Sequence, residues 1–195
     1  MSDVPETPKD FFTQYIPSRF EAMKSAFAGK TSAGSMVFRV SGAGEWTLTL
    51  EAGELVVSEG QKDDVIIQVT VSEDDFTPIF VQAALQQEDE PIKPEQQVMA
   101  FKAITVDEER AKLVRGIAGS VAFVVSDDDK VHKLVITPGA AKPNLDAPDC
   151  RLECSMNDFL DMQTGKQNPM QLAMGGKIKI VGNAQIPMAL SGVFV

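Results

Sequence analysis

Apolar side chains recur at two periods along this chain, and the switches between the periods predict its elements. Phe20, Met23 and Phe27 are spaced by three and four, as on one stripe of a helix. Ser18-Arg19-Phe20-Glu21 has the S-x-x-E form in which a serine oxygen and a glutamate carboxylate cover free amides of a first helical turn. A helix is therefore predicted over 19–28, ended by Gly29, with residues 1–17 as a polar leader. The period then drops to two. Val37–Val40, Trp46–Leu50, Leu55–Val57 and Val65–Val71 read as strands of an antiparallel meander, separated by Gly42, Gly44, Gly53 and Gly60. Trp46, Leu48 and Leu50 fall on one face and Thr47, Thr49 and Glu51 on the other, so one face is buried and one is wet. A helix follows Ser72-Glu73-Asp74-Asp75, with Phe76, Ile79 and Phe80 apolar and Pro78 within its first turns or ending them.

The same succession then returns. Gly119–Ser126 echoes Gly34–Ser41, Leu134–Gly139 echoes Leu48–Gly53, and Arg151–Phe159 echoes Gln68–Phe76, both segments of this third pair ending in S-x-x-D-F. Pro94–Lys102 lines up with Pro169–Lys177. The shared order predicts a tandem duplication, with units at 18–106 and 107–195 and a helix over about 107–116 shared between them. Thr105 with Glu108 is the expected cap of that helix, and Ala111, Val114 and Ile117 its inner stripe. The charged, proline-bearing segment Glu88–Pro94 and the stretch Pro138–Pro148 read as surface loops. The fold class expected is α+β: a mixed or antiparallel sheet covered by helices on one face, internally duplicated.

Charge narrows the function. With 28 acidic and 18 basic side chains among 195 residues, the net charge of -10 disfavours nucleic acid and anionic surfaces as partners. No apolar run reaches the ~18 residues of a membrane span, and Met1–Glu6 lacks the regions of a signal peptide, so a cytoplasmic location is the expectation. Cys150 and Cys154 lie four apart in a predicted strand, about 13 Å at ~3.3 Å per residue, too far to bridge. Free thiols fit a reducing compartment, and two cysteines are too few for a structural zinc cluster.

Catalytic patterns are scarce. His132 is the single histidine, and no serine or cysteine is marked as its nucleophilic partner. The acidic runs Glu73–Asp75 and Asp127–Asp129 fit a helix start and a hairpin turn rather than a metal site. What stands out instead is apolar: Met156, Met162, Met170, Met174 and Met188 crowd the last quarter of the chain, beside Phe159, Leu160, Ile178 and Ile186. Flexible thioethers suit a surface that accepts an apolar guest, and they suit a core equally.

Over residues 158–183 the chain resembles the sterol carrier protein type-two family, which shows D-F, a T-G-K-x-N-P turn, a short helix, G-K-(I/L)-K-I and G-N in that order. Here these are Asp158-Phe159, Thr164–Pro169, the stretch ending at Gly175-Gly176, Lys177–Ile180 and Gly182-Asn183. Local physics accounts for much of the motif. Gly165 allows the turn, Asn168 caps the next helix with Pro169 in its first position, and Gly175-Gly176 stops it. The resemblance implies a mixed five-stranded sheet with an apolar tunnel under its helices, binding sterols, fatty acyl chains or other lipids without a cofactor. The matching wall positions are Phe159 and Met162, Met170 and Met174, Ile178 and Ile180, then Ile186, Met188 and Leu190. Phe76, Ile79, Phe80 and Met99 form the corresponding set in the first unit. Pro187 departs from the family pattern, so the closing segment is expected to be a strand or to lean on the first unit.

Binding or transfer of a hydrophobic ligand is thus the leading expectation. Two alternatives stand beside it: an enzyme placing His132, Cys154 or Asp158 in such a cavity, and a scaffold whose core is filled by its own side chains.

Overall fold

The computed structural model describes residues 4–89, 101 and 104–194 of the chain. Strands of both predicted units lie in one mixed sheet of eight: β1 (Ser35–Ser41), β2 (Gly44–Glu51), β3 (Glu54–Glu59), β4 (Val65–Ser72), β5 (Val121–Asp127), β6 (Lys130–Pro138), β7 (Cys150–Ser155) and β8 (Lys179–Gly182). Their order is β3-β2-β1-β4-β6-β5-β7-β8. The predicted meander holds only for β1 to β3. β4 instead returns parallel to β1 on its far side, because residues 60–64 cross the polar face: Thr47 Oγ1 donates to Gly60 O, and Ser35 N donates to Asp64 O at 2.7 Å. β7 is likewise parallel to β5. The seam between the two groups of strands is the antiparallel pair β4 and β6, in register from Ile67 opposite Pro138 to Val71 opposite Leu134.

These registers align side chains into rows. Val40, Val71, Leu134, Phe123, Leu152 and Ile180 are successive neighbours across the sheet, and Phe38, Val69, Ile136, Val121 and Cys150 form the next row. These two rows are apolar and most of their side chains lie beneath helices, while Ile180 at the β8 edge is exposed. The opposite face alternates with them and carries Arg39, Thr70, Val135, Ala122 and Arg151. The predicted loop after Pro138 covers part of it. Gln68 Nε2 donates to Gly139 O at 2.9 Å and Ala141 O at 2.7 Å, and Lys133 Nζ donates to Leu145 O at 3.0 Å.

The polar leader is overturned. Helix α1 is continuous through Pro8–Asp10, a π-type turn at Phe11–Tyr15 and Ile16–Glu21, and Phe11, Phe12 and Tyr15 are buried. Thr7 caps it, accepting from Asp10 N at 3.2 Å. Ser18 is not a cap, since its hydroxyl donates back to Tyr15 O inside the helix. Of the predicted stripe, Phe20 lies on α1 and Phe27 on a following 3-10 turn, Lys24–Phe27. Helix α2 runs through Glu73–Phe76, a π-type turn at Thr77–Val81 and Gln82–Asp89. Pro17 and Pro78, beside or within these π turns, each remove a donor from the regular ladder.

Helix α3, Glu108–Arg115, buries Ala111 and Val114 as expected, but its N-cap is Asp107, which accepts from Arg110 N at 2.9 Å, rather than Thr105. Helices α4 (Met156–Gln163) and α5 (Pro169–Met174) follow the predicted turn chemistry. Asn168 Oδ1 accepts from Met170 N at 2.8 Å with Pro169 in the first position, and Gly165 and Gly176 adopt φ of 72° and 70°, open to glycine without strain. The closing segment is neither a strand nor broken by Pro187: Gln185–Phe194 is a helix, α6, packed against α3. Pro187 sits in its first turn, where an N–H has no intrahelical partner to lose, and Asn183 Oδ1 accepts from Gln185 N at 3.1 Å. Residues 90–94 of the predicted linker, and all of Pro94–Lys102 except Phe101, lie outside the described residues.

Candidate functional site

Under α1, over the sheet, lies a half-open, mainly apolar pocket of about 200 Å³, lined chiefly by the first half of the chain. Phe11, Phe12 and Ile16 of α1 form one wall, Met36, Phe38 and Leu48 of the sheet the floor, and Phe80, Ala83 and Ala84 of α2 the other wall. Met23, Phe101 and Ile104 close one end. The rings are interlocked: Phe12 stacks on Trp46 with centroids 5.1 Å apart and lies 4.9 Å from Phe38, and Phe11 meets Phe76 edge-on at 5.4 Å.

Four polar side chains reach this pocket: Tyr15, Arg19, Gln87 and, from the second half, Gln163. Tyr15 is 7% exposed, and its hydroxyl has no hydrogen-bond partner. Burial pushes its phenol above the ordinary value, with Arg19 acting the other way and Glu88 adding to the rise. A second depression, of about 650 Å³, lies between Thr31–Ser35, Thr49–Glu51 and Gln61–Asp64. It is open and mostly polar, with Lys62 beside Glu51 at 3.9 Å, and offers no apolar enclosure.

The predicted wall positions divide in two. Phe76, Ile79, Phe159, Ile178, Ile186 and Leu190 are buried in the core, with Phe159 edge-on to Phe123 at 5.6 Å. Phe80 and Met162 are half-buried, and among the described members of the set Phe80 alone lines the pocket. Met170, Met174, Ile180 and Met188 are exposed by 56%, 83%, 42% and 63%. Met99 lies outside the described residues. Reading the sequence missed Phe11, Phe12, Tyr15 and Arg19, although Phe11 and Tyr15, four apart, and Tyr15 and Arg19, four apart again, share one helical face.

The polar residues considered for catalysis have other partners. His132 is buried and its Nδ1 lies 2.8 Å from Asp75 Oδ1, tying the cap of α2 to β6. Asp158 accepts from Ser155 Oγ at 2.7 Å and Lys177 Nζ at 3.0 Å, and these bonds hold its carboxyl below the ordinary value. Burial, with Asp158 adding to it, pushes the Cys154 thiol up to about 11, so it stays protonated at neutral pH and is a poor nucleophile. Among the described residues no group of three or more His, Cys, Asp or Glu is placed to hold a metal, and no helix is long and apolar enough to cross a membrane.

The half that carries the α4 turn, the Asn168 cap and the Asn183 cap is also the half that a family model matches. Residues 100–195 match the SCP-2 sterol transfer family. Human sterol carrier protein 2 is 35% identical over 104 residues, covering 49% of this chain and 19% of its own, and the protein of that name from Oryctolagus cuniculus is 34% identical over the same length. The chain thus spans about a fifth of the length of these curated relatives. Among solved structures, sterol carrier protein 2 from Yarrowia lipolytica in its apo form is similar at 21% identity, covering 62% of this chain and 91% of that one with a TM-score of 0.35. The sterol carrier protein domain 2 of Helicoverpa armigera is similar at 23% identity, with 60% and 85% covered and a TM-score of 0.36.

Proposed function

We propose that this protein binds lipids beneath its helices and transfers them. The match of residues 100–195 to a sterol transfer family carries this reading. Two features of the molecule support it. Thioethers at Met170, Met174 and Met188, with Ile180, stand exposed in the matching half, where an aliphatic guest would shield them from water. A row of apolar side chains also runs across the sheet from Val40 on β1 to Ile180 on β8. In this reading the guest path in the second half is bordered by Met162, Met170, Met174, Ile180 and Met188, over a base of Phe159, Ile178, Ile186 and Leu190.

Energetics set a condition on it. Removing about ten methylenes from water gains roughly 8 kcal/mol, at ~0.8 kcal/mol each. Association costs about 4–15 kcal/mol, so tight binding needs a guest that is almost wholly enclosed. Native mass spectrometry of freshly purified protein, paired with transfer of a fluorescent sterol between vesicles, tests the reading. Co-purifying lipid and protein-dependent transfer are expected; an unliganded protein that leaves the transfer rate unchanged overturns it.

We also infer that the two halves derive from one duplicated unit. Ser41 pairs with Ser72 and Ser126 with Ser155, so the echoed segments keep the same parallel register. The caps agree too: Asp75 N donates to Ser72 Oγ at 3.1 Å and Asp158 N donates to Ser155 Oγ at 3.2 Å. The hairpin echo moves by two residues. Met36 pairs with Leu48 and Val121 with Ile136, which makes Ile136, rather than Leu134, the counterpart of Leu48. In this scheme β4 occupies beside β6 the place that β3 has beside β2, and β6 occupies beside β4 the place that β8 has beside β7.

A further inference from the structure

We propose that the pocket under α1 is a second ligand site, for a single-chain amphiphile with a carboxylate head, the head held by Arg19 and the Tyr15 hydroxyl and the tail lying among the phenylalanine rings. This site stands on the geometry of the first half and not on the family match, whose described residues contribute Phe101, Ile104 and Gln163 to its lining.

Two residues of its wall, Tyr15 and Arg19, lead to it. A buried hydroxyl without a partner is costly, and Tyr15, one of the residues that line the cavity, carries one. Arg19 follows one turn later on the same helical face and makes no ion pair or side-chain hydrogen bond with a described residue. A guanidinium presents a fork of donors that matches a carboxylate with both oxygens bound. The phenol, held protonated by its burial, adds one more donor. Glu88 acts on the phenol in the opposite sense to Arg19, and among the described lining residues Arg19 is the only charged one.

The remaining polar groups, Gln87 and Gln163, are neutral and can donate to the same head. Size limits the tail. At about 200 Å³ the cavity lies below the ~300 Å³ at which pockets for drug-sized ligands begin, which favours a single medium-length chain over a fused-ring sterol. The two halves would then differ in the guest they accept.

The chain contains its own reporter. Trp46 is the single tryptophan, buried, and stacked on Phe12, which lines this cavity. A guest here perturbs its emission, whereas one held only against Met170, Met174 and Met188 leaves the stack untouched. The test titrates the full chain with sodium decanoate and with decan-1-ol, following Trp46 fluorescence, in the native protein and in Arg19→Gln and Tyr15→Phe. Decanoate is expected to saturate the signal at least tenfold more tightly than decan-1-ol. Arg19→Gln should raise the half-saturating decanoate concentration about tenfold while changing that of decan-1-ol by less than twofold, and Tyr15→Phe should weaken decanoate severalfold. Both substitutions are conservative in size, and unchanged far-ultraviolet circular dichroism establishes that each variant folds. An unresponsive Trp46, equal binding of acid and alcohol, or an Arg19→Gln protein that binds decanoate as the native one does overturns the proposal. Vesicle transfer of sterol by the Arg19→Gln protein separates this site from the second half: it should continue even where decanoate binding is lost.

Discussion

The two halves of the molecule share their caps and parallel registers but differ in what lies over the sheet. In the first half α1 drives Phe11, Phe12 and Tyr15 against Phe38, Trp46 and Phe80, and rings border a small cavity. In the second half Phe159 packs on Phe123, and Met170, Met174 and Met188 stand in solvent. Rigid rings with two torsions hold one shape, whereas thioethers on flexible stems follow the shape of whatever meets them. One backbone arrangement therefore presents a preformed pocket on one side and an adaptable surface on the other.

Removing the central ring of each half should expose that difference most strongly. Phe12→Ala and Phe159→Ala each delete a fully buried ring, at about 3–5 kcal/mol for such a truncation. In thermal unfolding both should lower the midpoint by many degrees. Only Phe12→Ala should change the native-state emission of Trp46, because Phe159 does not touch the stack. Equal emission changes in the two variants would break the contrast.

The cap aspartates form the second contrast. Asp75 holds a buried His132, while Asp158 holds Lys177, whose side chain is half exposed. Asp75→Ala strands a buried imidazole at a cost of about 1–3 kcal/mol beyond the loss of the cap bond. Asp158→Ala frees an ammonium that water can solvate, so its urea midpoint should fall less. The Asp158 pair also has a pH signature. The carboxyl is held below the ordinary 3.8 in the folded chain, so its contribution is present above that value and is lost as pH falls through the lower, folded one. Asp158→Asn should flatten the acid limb of the stability curve, as read by unfolding between pH 5 and pH 2; an unchanged acid limb would show that other carboxylates set it.

How far the residues disclosed this arrangement depends on the range of the interaction involved. Local chemistry was legible. The Ser72 and Ser155 caps, the Asn168 cap and the strands of β1 to β8 follow from side chains close in sequence. The parallel return of β4 was not, because nothing in Val65–Val71 states which edge of β1 it will join. Helix α1 was hidden by its charged ends, Lys9-Asp10 and Arg19, which drew the polar reading although Phe11, Phe12 and Tyr15 lie between them. Pro187 misled for the opposite reason: a proline is a breaker only once the helix has passed its first turn. The pocket joins residues from 11 to 163, so no local motif could display it.

Single caps give a finer test of equivalence. Ser72→Ala and Ser155→Ala each remove one bond to an amide, for a cost of about 0.5–2 kcal/mol. Because the two bonds differ by 0.1 Å, the two costs should agree within a few tenths of a kcal/mol in denaturant unfolding. A clear inequality would show that the halves differ in local chemistry as well as in their walls.

The smallest effect on stability should carry the largest information about function. Met174 is 83% exposed, and replacing it by serine removes apolar surface that the folded chain hardly buries. Unfolding should shift by no more than about 0.5 kcal/mol. If that thioether shields a guest, however, Met174→Ser withdraws contacts made only when lipid is present, and Met170, four residues earlier on the same face of α5, adds to them. The doubly substituted Met170→Ser, Met174→Ser protein is therefore expected to keep its thermal midpoint and its Trp46 response to decanoate while transferring sterol between vesicles severalfold more slowly. Undiminished transfer would assign these methionines no part in the guest's path, and the adaptable surface would lose its purpose even if the pocket under α1 kept its own.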